Sequence, residues 1–146
     1  MHNFVANRYG NSYLIYNFNN DTVVGYVIDD LTDYKNNGTG DLWDVPGGSV
    51  DLDEEVNSAI QREAKEELQI EIKEAIPFSV DSGAKEANSQ YIYVLFYSKN
   101  YDLKNGIKLS DEHSEFKWIS VDEIDNYKFY LSDTRLNVIK DFMKKS

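Results

Sequence analysis

The segment Gly47-Gly48-Ser49-Val50-Asp51-Leu52-Asp53-Glu54-Glu55-Val56-Asn57-Ser58-Ala59-Ile60-Gln61-Arg62-Glu63-Ala64-Lys65-Glu66-Glu67-Leu68-Gln69-Ile70 limits what this chain can fold into more than any other part of it. It sets a double glycine ahead of a helical pattern that runs from about Glu54 to Leu68. Successive helical residues turn by about 100°, so residues three and four apart share a face. Glu63, Glu66 and Glu67 therefore gather on one side, in line with Val56, Ala59 and Ile60. Glu55, Ser58, Arg62 and Lys65 are expected on the opposite, solvent-facing side. Acids that continue an apolar stripe point toward the body of the domain, where like charges repel and partial burial disfavours ionisation. A bound divalent cation removes both penalties and offers a way to capture phosphate. The rival reading is a solvated charged face, as on many Glu/Lys-rich helices. The alignment of the acids with the apolar residues speaks against it.

Size and charge narrow the classes. At 146 residues the chain is read as a single domain, 1–146, long enough to bury its own core. Hydrophobic residues at 41% and aromatics at 14% point to a globular fold. A net charge of -11 excludes a nucleic-acid backbone or an anionic membrane as a general partner, and a polyphosphate is repelled unless metal masks the acids. The absence of cysteine removes disulfide and thiol chemistry and fits a cytoplasmic location. No secretory leader is apparent in Met1 to Arg8, and no run is long enough to span a bilayer.

Strands are expected at Tyr13–Tyr16 and Thr22–Ile28, around Trp43–Val45, and at Ile70–Ile76, Tyr91–Tyr97 and Phe116–Ile119. Tyr91–Tyr97 is the strongest and is placed centrally. Asp33–Gly40 and Asp81–Ser89 read as loops and Asn105-Gly106 as a tight turn. Ser120 to Glu123 spells a capping box ahead of a short helix, and a terminal helix is expected over about Asp133–Lys144. The expected fold is an α/β sandwich: a mixed sheet with the acid-bearing helix on one face and the terminal helix on the other. A calcium loop opening at Asp51 fails on spacing, because its sixth position is Val56 and its twelfth Arg62.

Gly48, Glu54, Arg62, Glu63, Ala64, Glu66, Glu67 and Ile70 resemble, in register, the Nudix box of MutT-like hydrolases. Leu42–Gly48 resembles the segment that leads into that box. Asp111–Ser120 resembles the later acidic loop that runs into a tryptophan-bearing strand. One position departs: the final glycine of the box is Gln69, which implies either a different helix exit or about 1 kcal/mol of backbone strain.

The resemblance implies a Nudix α/β/α sandwich and a magnesium-dependent enzyme, with Mn2+ as a substitute. It hydrolyses a nucleoside diphosphate linked to another group, most simply a nucleoside triphosphate, oxidised or not, to the monophosphate and pyrophosphate. It assigns the metal to the Gly47 carbonyl, Glu63, Glu66, Glu67 and Glu112. Glu63, Arg62 and Glu112 become the catalytic set, with Arg62 orienting Glu63, and Gly48 and Glu54 shape the loop-helix unit. His113 is the weaker candidate base, and Glu115 reads as a strand-edge residue. Trp43 is a core residue with base stacking as its alternative role; Tyr13, Tyr16 and Tyr26 keep an open functional option. The rival functions are a non-catalytic nucleotide sensor and an ADP-ribose or nucleotide-sugar pyrophosphatase. Ala84–Asn88 carries neither the proline nor the tyrosine that marks the ADP-ribose and dinucleoside polyphosphate subfamilies, and the NADH-cleaving motif is absent. A nucleotide is the expected partner, and a homodimer is compatible with the chain.

Overall fold

Alternating β-branched and aromatic residues divide the first strand between two environments. The computed structural model describes residues 8–17, 19–28, 42–51, 53–83, 91–103, 106–111 and 113–145. Strand β1 (Arg8–Asn17) sends Tyr13 and Ile15 to one core and Leu14 and Tyr16 to another. It turns through Asn19, Asn20 and Asp21 into β2 (Thr22–Ile28). The Asn17 side chain accepts from the Asn19 N–H at 3.0 Å, and Asp21 takes a left-handed backbone with φ 52°.

Short strands β3 (Trp43–Asp44) and β4 (Gly47–Ser49) precede helix α1 (Val56–Leu68). Then come β5 (Glu71–Gly83), β6 (Tyr91–Asp102) and β7 (His113–Ser120), a 3-10 turn at Ile124–Asn126, and helix α2 (Asp133–Lys145). Among the described residues the sheet runs β3-β2-β1-β6-β5, with β4 on β1 and β7 on β2. β1 and β6 are parallel and the other pairs antiparallel, which makes the sheet mixed as expected. Ile60, Ala64 and Leu68 of α1 close one core, and Ile139 and Met143 of α2 close the other.

Along one edge β1 changes partner. Asn11 and Ser12 pair with Gly48 and Gly47, whereas Tyr16 and Asn17 pair with Val23 and Thr22. Between them the Tyr13 N–H donates to the Pro46 carbonyl at 2.9 Å. This split seats the glycine pair directly beneath α1.

The expected loop beginning at Asp81 is corrected in part. Asp81, Ser82 and Gly83 continue β5, paired with Tyr93, Ile92 and Tyr91. Arg135 of α2 fixes Asp81 with two hydrogen bonds, of 3.0 and 2.8 Å, so its charge does not signal a loop. Pro77 is tolerated in β5 because that strand lies at the sheet edge. Ser120 Oγ donates to Glu123 Oε1 at 3.0 Å, and the helix that this pair opens is a single 3-10 turn. The Gly106 N–H closes a turn onto the Leu103 carbonyl at 2.8 Å, with φ 72°. Asp33–Gly40, Ala84–Ser89 and Asn105 lie outside the described residues. Among the described residues no helix is long and apolar enough to cross a membrane.

Candidate functional site

The apolar stripe of α1 is Ala59, Ile60, Ala64 and Leu68, each fully buried. Glu63 and Glu67 lie along one edge of that stripe, with the Glu63 side chain only 14% exposed. Three expectations need correcting. Val56 is 39% exposed and does not join the stripe. The Glu66 side chain is 61% exposed, one step further round the helix than the inward edge. Arg62 does not face solvent: it folds back over the acids and the preceding loop. Helical azimuth fixes where a Cα sits, but a long side chain reaches well beyond it.

Arg62 organises this region. Its Nε and Nη2 donate to Glu54 Oε2 and Oε1 at 2.8 and 3.0 Å, a two-pronged charge-assisted pair. Nη1 donates to Glu63 Oε1 at 3.1 Å and to Glu66 Oε2 at 3.4 Å, and Nη2 also reaches the Ser49 carbonyl at 3.3 Å. Glu54 Oε1 accepts from the Asp51 N–H at 3.0 Å, which ties the loop to the helix. These hydrogen bonds hold the Glu54 carboxyl below the usual carboxylate range. Burial pushes Glu63 the other way, against the neighbouring Arg62 charge.

The glycines make room for this arrangement. A Cβ on Gly48 would stand 2.6 Å from the Glu63 carboxyl, and one on Gly47 would stand 2.4 Å from the Asn11 carbonyl. Any side chain at residue 48 therefore displaces Glu63.

At the helix exit Gln69 adopts the left-handed conformation with φ 54° and ψ 37°. Its N–H bonds the Lys65 carbonyl, and the Ile70 N–H reaches that of Ala64. Of the two expectations for Gln69, the structure shows the usual left-handed exit, made by a residue that pays for its Cβ there.

Sequence reasoning leaves the floor of the site unassigned. The Tyr26 hydroxyl donates to Glu67 Oε2 at 3.1 Å, and the His113 ring stacks on Tyr26 at 3.7 Å. Burial, with Glu67 next in effect, raises both Tyr13 and Tyr26 well above the ordinary tyrosine value, so both hydroxyls stay protonated. His113 is half-buried. Period-two alternation from Tyr13 could have flagged Asn11 as an inward polar residue in β1. Trp43 is 6% exposed, its ring edge-on to Tyr127 and covered by the Lys117 ammonium at 5.7 Å. Glu112 lies outside the described residues.

Among the described residues, no three His, Cys, Asp or Glu side chains converge closely enough, as they stand, to hold a metal ion. Arg62 Nη1 instead bridges Glu63 and Glu66, and the Tyr26 hydroxyl holds Glu67. The donors are nonetheless all oxygens, the type that Mg2+ prefers. Glu63 also sits in a cradle that a Cβ at residue 48 would fill, beside buried polar atoms of Asn11 and Tyr13 that have no partner among the described residues. The residues fit a hard divalent cation in chemistry.

Comparison with known proteins bears on the family and the fold. The NUDIX domain family model matches residues 15–142. A bis(5'-nucleosyl)-tetraphosphatase [asymmetrical] of Rattus norvegicus is 33% identical over 86 residues, spanning 56% of this chain and 57% of that protein. A MutT structure from work on Aliivibrio salmonicida and Vibrio cholerae superposes with TM-score 0.75 at 17% identity, covering 97% of this chain and all of the other. The NUDIX domain of Shewanella oneidensis NrtR, complexed with ADP ribose, superposes with TM-score 0.69 at 15% identity, covering 97% and 90%.

Proposed function

The chain belongs to the NUDIX domain family, and from that premise we propose that it is a magnesium-dependent hydrolase of nucleoside diphosphate derivatives. Its simplest substrate is a nucleoside triphosphate, cut to the monophosphate and pyrophosphate. The observation that carries this reading is Glu63 held over Gly48 by Arg62, with Glu67 beside it on the same helix edge. A nucleotide sensor has no need to maintain such a cluster of acids.

In this reading Glu63, Glu66, Glu67, the Gly47 carbonyl and Glu112 hold the cation. When bound, Mg2+ supplies charge neutralisation on the phosphates and acidifies an attacking water. Arg62 fixes the Glu63 carboxylate and, through Glu54, the loop from Ser49 to Asp51. Tyr26 holds Glu67 by its hydroxyl while His113 braces the Tyr26 ring. Glu112 serves as a metal ligand or as the base, the alternative base being a glutamate of α1, and Glu112→Gln is expected to impair turnover with an unchanged melting temperature. An unaltered rate removes Glu112 from the site. Single-domain organisation and a cytoplasmic location belong to the same proposal.

The rat relative favours a second substrate, a dinucleoside tetraphosphate, which the Ala84–Asn88 segment alone does not support. The test is a nucleotide panel with Mg2+ that includes nucleoside triphosphates, dinucleoside tetraphosphates and ADP-ribose, read as phosphate, pyrophosphate or nucleotide release. Turnover of one class names the substrate. Tight binding of one member with no turnover of any replaces the hydrolase with a sensor.

A further inference from the structure

Three buried polar atoms on β1 have no role in the mechanism above. Asn11 is 3% exposed, and among the described residues neither its amide nitrogen nor its amide oxygen has a hydrogen-bond partner. The hydroxyl of Tyr13, a fully buried residue, also lacks one among the described residues. Two residues apart on a strand, Asn11 and Tyr13 project to the same face. That face is the one that carries the acids. Asn11 is the ladder partner of Gly48, and directly opposed residues of an antiparallel pair project to the same side. A Cβ on Gly48 runs into the Glu63 carboxyl, so the Asn11 carboxamide and Glu63 share that side. Tyr13 packs in the same core layer as Ile60 and Ala64 of α1, and its hydroxyl stands in the field of Glu67 and Glu63.

Native proteins pair nearly all of their buried polar atoms, so orphans gathered on one patch point to a ligand that completes them. Strand pairing does not explain them, because the ladders to β4 and β6 use the backbone alone. An apolar pair in these two places would serve the fold better.

We propose that Asn11 and Tyr13 are positioning residues for a hydrated divalent cation, hydrogen-bonding the waters that the ion keeps beside Glu63 and Glu67. A carboxamide offers both donor and acceptor, and a phenol can do either. Magnesium gives up its waters reluctantly, so a site for it needs partners for those waters as well as carboxylates. Such outer partners orient the direct ligands and set the affinity. This inference rests on the assignment of the α1 acids to a metal.

The experiment uses Asn11→Val and Tyr13→Phe in the full chain. Mn2+ alone is titrated and the free ion counted by electron paramagnetic resonance, and the melting temperature is measured without metal. Each variant is expected to bind Mn2+ about tenfold more weakly, while its metal-free melting temperature rises or holds. A structural role gives the reverse pattern, a lower melting temperature with unchanged Mn2+ affinity, and overturns the proposal. Tyr13→Phe removes a single oxygen, so unchanged Mn2+ affinity there overturns it even if Asn11→Val fails to fold. Wild-type protein that binds Mn2+ as its variants do sinks this inference alone. Wild-type protein that binds none sinks the metal site as well.

Discussion

Beneath α2 the sheet is closed by rings: Phe142 stacks on Phe78 at 4.3 Å, leans on Tyr97 at 4.8 Å and meets Tyr16 edge-on at 5.7 Å. Charged groups on that side are matched: Arg135 by Asp81, 3.8 Å above the Tyr93 ring, and Lys140 by Asp125. Beneath α1 the same strands meet two inward carboxyls, with a buried amide and a buried hydroxyl that have no partner among the described residues. One sheet thus faces two interiors. The α2 side is largely apolar, and its buried polar groups are paired among the described residues, as stability demands. The α1 side keeps unmet polar groups together, which a fold tolerates where a ligand completes them.

The contrast can be broken from either side. Glu67→Gln should lower magnesium-dependent turnover at least about a hundredfold with the melting temperature retained. Near-normal activity would separate the acid edge from metal. Ile139→Ala, in the α2 core, should do the opposite: a loss of about 3 kcal/mol in urea unfolding with Mn2+ affinity intact. A matching fall in Mn2+ affinity would show that the two interiors are not independent.

Asp44 sharpens the comparison through pH. Burial pushes its carboxyl up from 3.8 to about 7, opposed by the Val45 N–H. The folded state therefore holds the proton more tightly than the unfolded chain. Its stabilising contribution is full below pH 4 and is lost as pH rises through about 7. Asp44→Asn should flatten this slope, leaving the variant more stable than the parent at pH 8 by on the order of a few kcal/mol. Parallel stability profiles for the two proteins would remove Asp44 as the cause. The smallest effect is expected at the helix exit. Gln69→Gly should stabilise by about 1 kcal/mol by relieving the left-handed conformation, and a loss of stability would mean that the Gln69 side chain contributes contacts worth more than its strain.

How much of the fold is legible in the sequence depends on how local each signal is. β2 has its expected bounds because Thr22–Ile28 is a dense β-branched and aromatic run. The terminal helix begins at Asp133 as expected and ends one residue later. The continuation of β5 through Asp81–Gly83 is hidden, because its cause is Arg135, more than fifty residues away in the chain. Period alone places Glu63 and Glu67 inward. The roles of Tyr26 and Arg62 depend on side-chain reach across strands and loops, which no spacing rule encodes. Asn11 escapes notice because the expected strand begins at Tyr13, whereas β1 starts at Arg8 and carries the same alternation back through Asn11.

The bonds around Arg62 have a consequence for the reaction's charge balance. A guanidinium has five N–H donors, and here the acceptors Glu54, Glu63, Glu66 and the Ser49 carbonyl occupy them all. Arg62 is thus coordinatively full within its own chain, so it cannot grip an incoming phosphate without letting go of an acid. In a chain of net charge -11, a divalent ion is then the natural source of compensation for the phosphates. Catalysis here should therefore follow divalent-ion concentration steeply, in the way that an enzyme with a free phosphate-binding arginine would not.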